Sequence, residues 1–157
     1  MFDDTLSLLL SGPDDTARRA QQLARRLSPG DVILLSGDVG AGKTHFARAL
    51  ITELLDYPED IPSPTFTLVQ TYEGASGAIW HADLYRLTST HEIEELGLVE
   101  AFHDAICLVE WPDRLGPLAP AGALRISLFP GAHEDSRALT AEWSGSGWAT
   151  KLTEWGA

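Results

Sequence analysis

The stretch GDVGAGKT, residues 37–44, constrains the fold more than any other part of the chain. It satisfies every fixed position of the phosphate-binding pattern G-x-x-x-x-G-K-S/T. The apolar run DVILLSG precedes it, and KTHFARALITELLDY, which has apolar residues at helical spacing, overlaps its end. Because such a loop joins a strand to a helix, the pattern predicts an α/β domain with a nucleoside triphosphate site.

Each residue type in this loop has a chemical role. The glycines allow backbone angles that turn successive N–H groups towards an anion, and the positive end of the next helix adds to this field. Lys43 is expected to reach the β- and γ-phosphates, and the Thr44 hydroxyl to ligate Mg²⁺. The guanine-specifying pattern N/T-K-x-D is absent, because TKLT at residues 150–153 ends in threonine. We therefore expect ATP as the nucleotide.

Two carboxylates are candidates for the metal and water side of the site. Glu110 ends the apolar run AICLVE and Asp83 ends AIWHAD. The Glu110 strand is the more uniformly apolar, as expected of a central strand beside the phosphate loop. In SPTFT, residues 63–67, Thr65 offers a hydroxyl that could sense the γ-phosphate or the metal, in the manner of a switch segment.

Strands and helices alternate in the first part of the predicted order, and strand pairs dominate the last part. We expect an α/β domain with a mixed sheet, in which antiparallel strands extend a parallel core, and we find no domain boundary within residues 1–157. Predicted strands are TLSLLL, DVILLSG, TFTLVQTYEG, AIWHADLYRL, AICLVE, ALRISLF and RALTAEW. Predicted helices are GPDDTARRAQQLARRLSPG, KTHFARALITELLDY, TSTHEIEELGLVEAF and a short one in the glycine-rich C-terminal stretch.

Two local features of the predicted helices can be checked directly. Asp14 or Asp15 is expected to cap the first helix, and Thr88 or Ser89 the third. The arginines of the first helix lie away from its apolar face and are expected to be solvated: Arg18, Arg19, Arg25 and Arg26.

Composition excludes several classes of protein. The chain has 11 basic and 23 acidic residues, a net charge of −12, which disfavours direct binding of DNA or RNA. Its apolar runs are far shorter than the ~20 residues of a membrane-spanning helix, and its acidic N-terminus is unlike a signal peptide. The single cysteine, Cys107, cannot form an internal disulfide, so we expect a cytoplasmic protein.

Five segments together resemble the TsaE family, small bacterial ATPases required for threonylcarbamoyladenosine modification of tRNA. They occur in one order between about Thr16 and Leu115: LSGDVGAGKTHFARAL, SPTFTLVQTYE, HADLYRL, EELGL and AICLVEWPDRL. The resemblance implies a three-layer fold like that of P-loop NTPases, ATP hydrolysis with Mg²⁺, and the protein partners TsaD and TsaB. The tRNA would be held by those partners, and the ATPase cycle would reset the complex between turnovers.

The resemblance also assigns roles to residues. Thr44 and Glu110 become the Mg²⁺ ligands, and Lys43, Glu110, Asp83 and Thr65 the catalytic candidates. The expected nucleotide-binding residues are Thr16, Gly37, Asp38, Val39, Gly40, Ala41, Gly42, Lys43, Thr44, His45 and Trp111. Trp111 has three open roles, namely packing, a lid over the nucleotide and a partner contact. Beyond Phe129 the pattern fades, so the resemblance does not extend to a nucleotide contact from Arg137.

Two other functions remain as alternatives. A small-molecule kinase could use the same loop, but such enzymes usually close an arginine-bearing lid, and only Arg114, Arg125 and Arg137 follow Leu87 in distant positions. A non-catalytic module could bind ATP only to regulate a partner. A zinc site from His81, His103 and Cys107 is disfavoured, because no ligand-pair spacing supports it.

Overall fold

The computed structural model describes residues 4–38, 41–55, 57, 59–61 and 68–155. Its strands are β1 (Asp4–Leu10), β2 (Val32–Ser36), β3 (Val69–Gly74), β4 (Gly77–Asp83), β5 (Ile106–Glu110), β6 (Leu124–Pro130) and β7 (Arg137–Trp143). Its helices are α1 (Pro13–Ala24), α2 (Lys43–Leu54), α3 (Thr90–Glu95), α4 (Leu98–Asp104) and α5 (Ser146–Lys151), and a 3₁₀ segment covers Pro112–Leu118.

The described strands form one mixed sheet in the order β1-β7-β6-β2-β5-β4-β3. Its centre is parallel, because β2 pairs in parallel with both β5 and β6, and β5 with β4. Antiparallel strands extend both sides: β7 and β1 beyond β6, and β3 beyond β4. The predicted α/β fold with a parallel core and antiparallel extensions is confirmed.

Helices cover both faces of the central strands and produce three layers. One apolar cluster joins Leu35 and Leu108 of the sheet to Phe46 of α2, and it extends to α1 and α5. A second cluster joins the opposite face, including Val109, to Phe102 of α4 and to the 3₁₀ segment. Burial on two faces explains why β2 and β5 are continuous apolar runs. None of the described helices is long and apolar enough to cross a membrane.

Helix α1 begins earlier than predicted. Its N-cap is Gly12, followed by Pro13 at the first helical position, and no side chain caps it. The Asp15 carboxylate instead accepts a hydrogen bond from the Ser11 backbone N–H at 3.0 Å, just outside the helix. That bond, with the Arg18 ion pair, lowers the pKa of Asp15. The expectation of an Asp14 or Asp15 cap was therefore wrong, although Asp15 still stabilises the helix start.

The predicted helix over residues 88–102 is two short helices. Helices α3 and α4 are separated at Gly97, which has φ +80° and serves as the N-cap of α4. Ser89, one of the two residues predicted to cap this helix, caps α3. Its hydroxyl accepts a hydrogen bond from the Glu92 N–H at 3.4 Å. The break arises because a left-handed residue cannot continue an α-helix, and glycine adopts that conformation at little cost.

The arginines of α1 are not all solvated. Arg19 donates to the carbonyl of Trp155 at 2.6 Å, and Arg26 donates to the carbonyl of Lys151 at 2.9 Å. The Trp155 indole, which is fully buried, returns a hydrogen bond to the Arg19 carbonyl at 2.9 Å. These bonds hold the end of α5 and the residues after it against α1, and Arg26 satisfies the carbonyl of the last residue of α5.

We expect Trp155→Ala to lower the free energy of unfolding by about 3–5 kcal/mol, because it removes a fully buried indole and the hydrogen bond that the indole donates to the Arg19 carbonyl. Leu9→Ala is the control, since Leu9 is 84% exposed and its loss should change stability by less than about 0.5 kcal/mol. Urea unfolding followed by circular dichroism measures both. Equal stability of the two variants would contradict the packing described for Trp155.

Cys107 should not react with thiol reagents in the folded protein. Its side chain has no exposed area, and burial together with the nearby Asp104 charge raises its pKa to about 12. The thiolate is the reactive form, so labelling by a chromogenic disulfide reagent should proceed only as fast as the chain unfolds. In denaturant the single thiol should react at once. Rapid labelling without denaturant would show that β5 opens locally.

Candidate functional site

The loop between β2 and α2 requires glycine at both ends. Gly37 has φ +149°, and a Cβ there would lie 2.7 Å from the Leu128 carbonyl oxygen. Gly42 has φ +100° and is the N-cap of α2, so the helix begins at Lys43. Asp38 and Ala41 connect through a backbone hydrogen bond of 2.9 Å. This geometry brings the helix N-terminus, with its free N–H groups, to the end of a buried strand.

Three predicted residues lie outside the described residues. They are Val39 and Gly40 of the loop and Thr65 of the SPTFT segment. Their roles stay predictions.

Lys43 lies in the cleft beside the phosphate loop, and 6% of its surface is exposed. Its ammonium donates to the Gly37 carbonyl at 2.5 Å and lies 4.0 Å from the centre of the Trp111 ring. Burial lowers the pKa of Lys43, and the negative charges of Glu110, Asp83 and Asp38 act in the opposite direction. A desolvated cation beside free N–H groups makes this position attractive for an anion.

Asp83 and Glu110 meet at the same edge of the sheet. They are directly opposite each other in the β4–β5 pair, and Leu35 is opposite Glu110 in the β2–β5 pair. Both carboxylates are buried and near enough to Lys43 to act on its charge. Asp83 also accepts a hydrogen bond from the Tyr85 backbone N–H at 3.0 Å.

Hard oxygen donors are therefore available for a divalent cation. The Thr44 hydroxyl is in the first turn of α2, on the residue after Lys43, and the strand-end carboxylates supply anionic oxygens. Mg²⁺ and similar cations prefer such oxygens over nitrogen or sulfur ligands. The described residues contain no cluster of three acidic, histidine or cysteine ligands, so a cation here needs further oxygens from a bound phosphate or water.

His81 contacts Glu110, which the sequence did not indicate. Its Nε2 lies 2.7 Å from Glu110 Oε2, and both side chains are almost fully buried. His81 is opposite Leu108 in the β4–β5 pair, so the histidine and Glu110 project from the same face of the sheet. The sequence feature that could have indicated this contact is the two-residue spacing of His81 and Asp83, which places both side chains on one face of a strand.

Trp111 forms one wall of the cleft. It has φ +58°, an unusual left-handed conformation for a bulky residue, and its ring centre is 4.8 Å from that of Tyr85. With Lys43 and Phe129 it borders a cavity of about 260 Å³ beside the phosphate loop, whose full lining is Ser36, Gly37, Asp38, Lys43, Trp111, Pro112, Asp113 and Phe129.

A second cavity of about 200 Å³ lies on the other side of the loop. It brings together the predicted residues Thr16 and His45, with Gly42 between them, and His45 Nε2 lies 2.9 Å from the Pro13 carbonyl oxygen. Arg137 lines the same cavity and donates through Nε to the Ala41 carbonyl at 3.0 Å. No motif pointed to Arg137, because β7 reaches the loop only through the long-range sheet order.

The zinc arrangement is excluded by the register. Cys107 is opposite Trp80, and His81 is opposite Leu108, so the cysteine and the histidine project to opposite faces of the sheet. His103 is exposed at the end of α4.

Comparisons with known proteins agree with this architecture. The family model described as "Threonylcarbamoyl adenosine biosynthesis protein TsaE" matches residues 10–139. A relative from Rickettsia felis, named tRNA threonylcarbamoyladenosine biosynthesis protein TsaE, is 41% identical over 77% of this chain and 71% of its own. The protein of the same name from Bacillus subtilis is 38% identical over 82% and 79%, respectively.

A solved structure matches nearly the whole chain. The crystal structure of Bacillus subtilis YdiB superposes with a TM-score of 0.81 at 29% identity, covering 99% of this chain and 95% of that one. The mixed sheet, the strand–loop–helix arrangement around Lys43 and the family match lead to one conclusion: the chain belongs to the TsaE family.

Proposed function

We propose that this protein binds and hydrolyses ATP with Mg²⁺ as a component of the machinery that makes threonylcarbamoyladenosine in tRNA. The observation that carries the proposal is the convergence of Lys43 with the buried carboxylates of Glu110 and Asp83 at one sheet edge. That arrangement offers a cation for phosphate oxygens and anionic oxygens for a metal. A module that only bound a nucleotide would not need two buried carboxylates beside the lysine.

Lys43 is the residue that would bind the terminal phosphates. Its ammonium can exchange the Gly37 carbonyl for a phosphate oxygen, because it already lies at the helix N-terminus. The N–H groups at the start of α2 add further donors, and the cavity lined by Thr16, His45 and Arg137 offers space beside the loop for the rest of the nucleotide.

Thr44 and Glu110 would hold Mg²⁺, which when bound neutralises charge on the β- and γ-phosphates. In the proposed reaction the Glu110 carboxylate orients the reacting groups beside the γ-phosphate. Asp83 adds negative charge next to Glu110. Thr65 is proposed to sense the γ-phosphate from the SPTFT segment. Lys43 stabilises the charge that develops on the transferred phosphoryl group.

TsaD and TsaB are the proposed protein partners, and ATP turnover is proposed to reset their complex between rounds of tRNA modification. The net charge of −12 supports an indirect relation to tRNA, because a chain this acidic would be repelled by a phosphate backbone. The partners would then bind the tRNA. A cytoplasmic location follows from this proposed role.

Lys43→Ala should weaken ATP binding by about 10–100-fold, since it removes a charge-assisted contact to phosphate. Calorimetric titration with ATP and Mg²⁺ measures this loss. Glu110→Gln should leave ATP binding without metal within a few-fold of wild type but reduce ATP turnover with both partners by roughly 100-fold or more. Glu100→Gln, on the exposed side of α4, is the matched control.

Four outcomes would decide among the functions. No ATP turnover by wild type with TsaD, TsaB and Mg²⁺, or normal tRNA modification by Lys43→Ala, would contradict the proposal. Stoichiometric phosphorylation of a nucleoside or metabolite would favour a kinase. Full support of tRNA modification by Glu110→Gln without turnover would favour a regulatory module that only binds ATP.

Trp111 should report nucleotide binding through its fluorescence. The Lys43 ammonium that lies over its ring in this structure is expected to move towards the phosphates, which changes the field at the indole. Titration with ADP should therefore alter the emission of wild type, and Trp111→Phe should abolish most of the change. Trp80→Phe should retain it, because the Trp80 indole packs beside Gly97 and does not line the cavity at the phosphate loop. A full response from Trp111→Phe would place the reporter elsewhere.

A further inference from the structure

The hydrogen bond between His81 and Glu110 has no place in the function described so far. Both groups are nearly sealed from solvent, with His81 at 0% and Glu110 at 2% exposure, and they are 2.7 Å apart. Burying an ionisable pair in a sheet core costs free energy that an apolar pair would not. Such a pair is therefore a candidate for a functional constraint on Glu110.

We propose that His81 is a positioning residue for Glu110. Its Nε2–H fixes one carboxylate oxygen, Oε2, and thereby directs the other, Oε1, towards the metal side of the cleft. The inference rests on the proposed function, because it assigns His81 a role through the metal-side glutamate. It concerns the orientation of the carboxylate and not a proton that His81 gives or takes.

Strand register makes this contact possible. His81 is two residues before Asp83 at the end of β4, and Asp83 is opposite Glu110. The His81–Glu110 contact is thus a diagonal one across neighbouring parallel strands, a span that a long side chain can bridge. Both strands are packed on both faces, so neither backbone can shift to release the pair.

The other ring nitrogen determines the tautomer. His81 Nδ1 is buried and has no hydrogen-bond partner among the described residues. A proton on Nδ1 would leave a buried N–H unsatisfied and would place the bare Nε2 against an anionic oxygen. The proton therefore lies on Nε2, and Nδ1 remains as the less costly bare acceptor. The imidazole is a donor to Glu110 and to no other described group.

The second oxygen of the Glu110 carboxylate, Oε1, is available to contact a ligand. Within the part of the chain that the structure describes, no hydrogen bond is made to Glu110 Oε1. The Glu110 charge acts on the Lys43 ammonium, so the carboxylate lies near the phosphate loop. Without the Nε2–H, the carboxylate could rotate and both oxygens would be free to turn away from a metal. Residues that orient metal ligands in this way typically change metal affinity or activity by about 10–100-fold when replaced.

Two amide substitutions at His81 distinguish the position of the hydrogen-bond donor from the polarity of the side chain. A glutamine amide nitrogen can occupy nearly the place of histidine Nε2, whereas an asparagine amide nitrogen reaches only the place of Nδ1. His81→Gln should therefore retain the donor to Glu110 and His81→Asn should lose it, although both bury the same amide group. His91→Asn is the matched control, because it breaks an exposed contact of 3.0 Å to Glu95 on α3.

The primary measurement is Mn²⁺ binding to the full chain with ADP, followed by electron paramagnetic resonance of the free ion. His81→Asn should weaken Mn²⁺ binding by about 10–100-fold, and His81→Gln should restore it to within a few-fold of wild type. ADP binding without metal should be equal in wild type, His81→Gln, His81→Asn and His91→Asn, as should their thermal unfolding temperatures. Glu110→Gln shows the loss expected when the carboxylate itself is removed.

The second measurement is the ATP turnover of the same variants with TsaD and TsaB. His81→Asn should lower kcat and raise the Mg²⁺ concentration for half-maximal rate, with a nearly unchanged KM for ATP at saturating metal. Wild-type Mn²⁺ affinity and kcat in His81→Asn would overturn the positioning role. So would equal losses in the Asn and Gln variants, which would indicate a merely structural role.

The two proposals fail in different ways. If wild type showed no ATP turnover, the proposed function would fail, and the Mn²⁺ series would still decide whether His81 orients Glu110. If wild type turned over ATP and His81→Asn matched it in both measurements, the function would stand and the positioning role would not. If His81→Asn failed to fold, His81→Gln compared with Glu110→Gln would decide, since only His81→Gln should bind Mn²⁺ normally.

Discussion

The parallel pairing of β2 with β5 is the constraint on which the site depends. It places Leu35 opposite Glu110, so the phosphate loop leaves one strand where the carboxylate ends the other. Parallel strands end at the same edge of a sheet, and helices packed on the faces deliver their N-termini to that edge. Lys43 and Glu110, far apart in sequence, therefore become neighbours through strand pairing and the packing of α2 on the sheet.

Buried polar side chains collect at this edge and are scarce in the rest of the described core. Those with less than a tenth of their surface exposed are Thr16, Lys43, His81, Asp83, Glu110 and Ser136, and all but Ser136 belong to the site. A folded protein keeps a buried charge only where another group compensates it. Here the lysine lies near two carboxylates, and one carboxylate is bonded to a histidine. A described core that departs from apolar packing mainly at one place is consistent with a functional demand there.

Much of the fold was predictable because its signals are local. Apolar runs identified the central strands, and the GDVGAGKT pattern identified the strand–loop–helix unit around Lys43. The approach of Arg137 to Ala41 was not predictable, since it requires β7 to lie two strands from β2 in the sheet order. The bonds from Arg19 and Arg26 to the residues after α5 were missed for a similar reason, because exposed and bonded arginines have the same helical spacing. The break at Gly97 was available in the sequence, as a glycine inside a helical pattern.

Trp111 shows how the site holds its lysine ready for an anion. A tryptophan at φ +58° costs of order 1–3 kcal/mol, and the conformation turns the chain sharply between Glu110 and the 3₁₀ segment. The turn places the indole over the Lys43 ammonium, with Tyr85 packed against it.

Among the described residues Lys43 forms no direct ion pair. Its partners are instead the Gly37 carbonyl and the face of the ring. A phosphate that displaces these neutral groups gains a full charge–charge interaction without first breaking one. A lysine already paired with Glu110 would have to give up that pair, and the glutamate would lose its freedom to face a metal. The strained tryptophan thus keeps the cation in place while leaving both charges available.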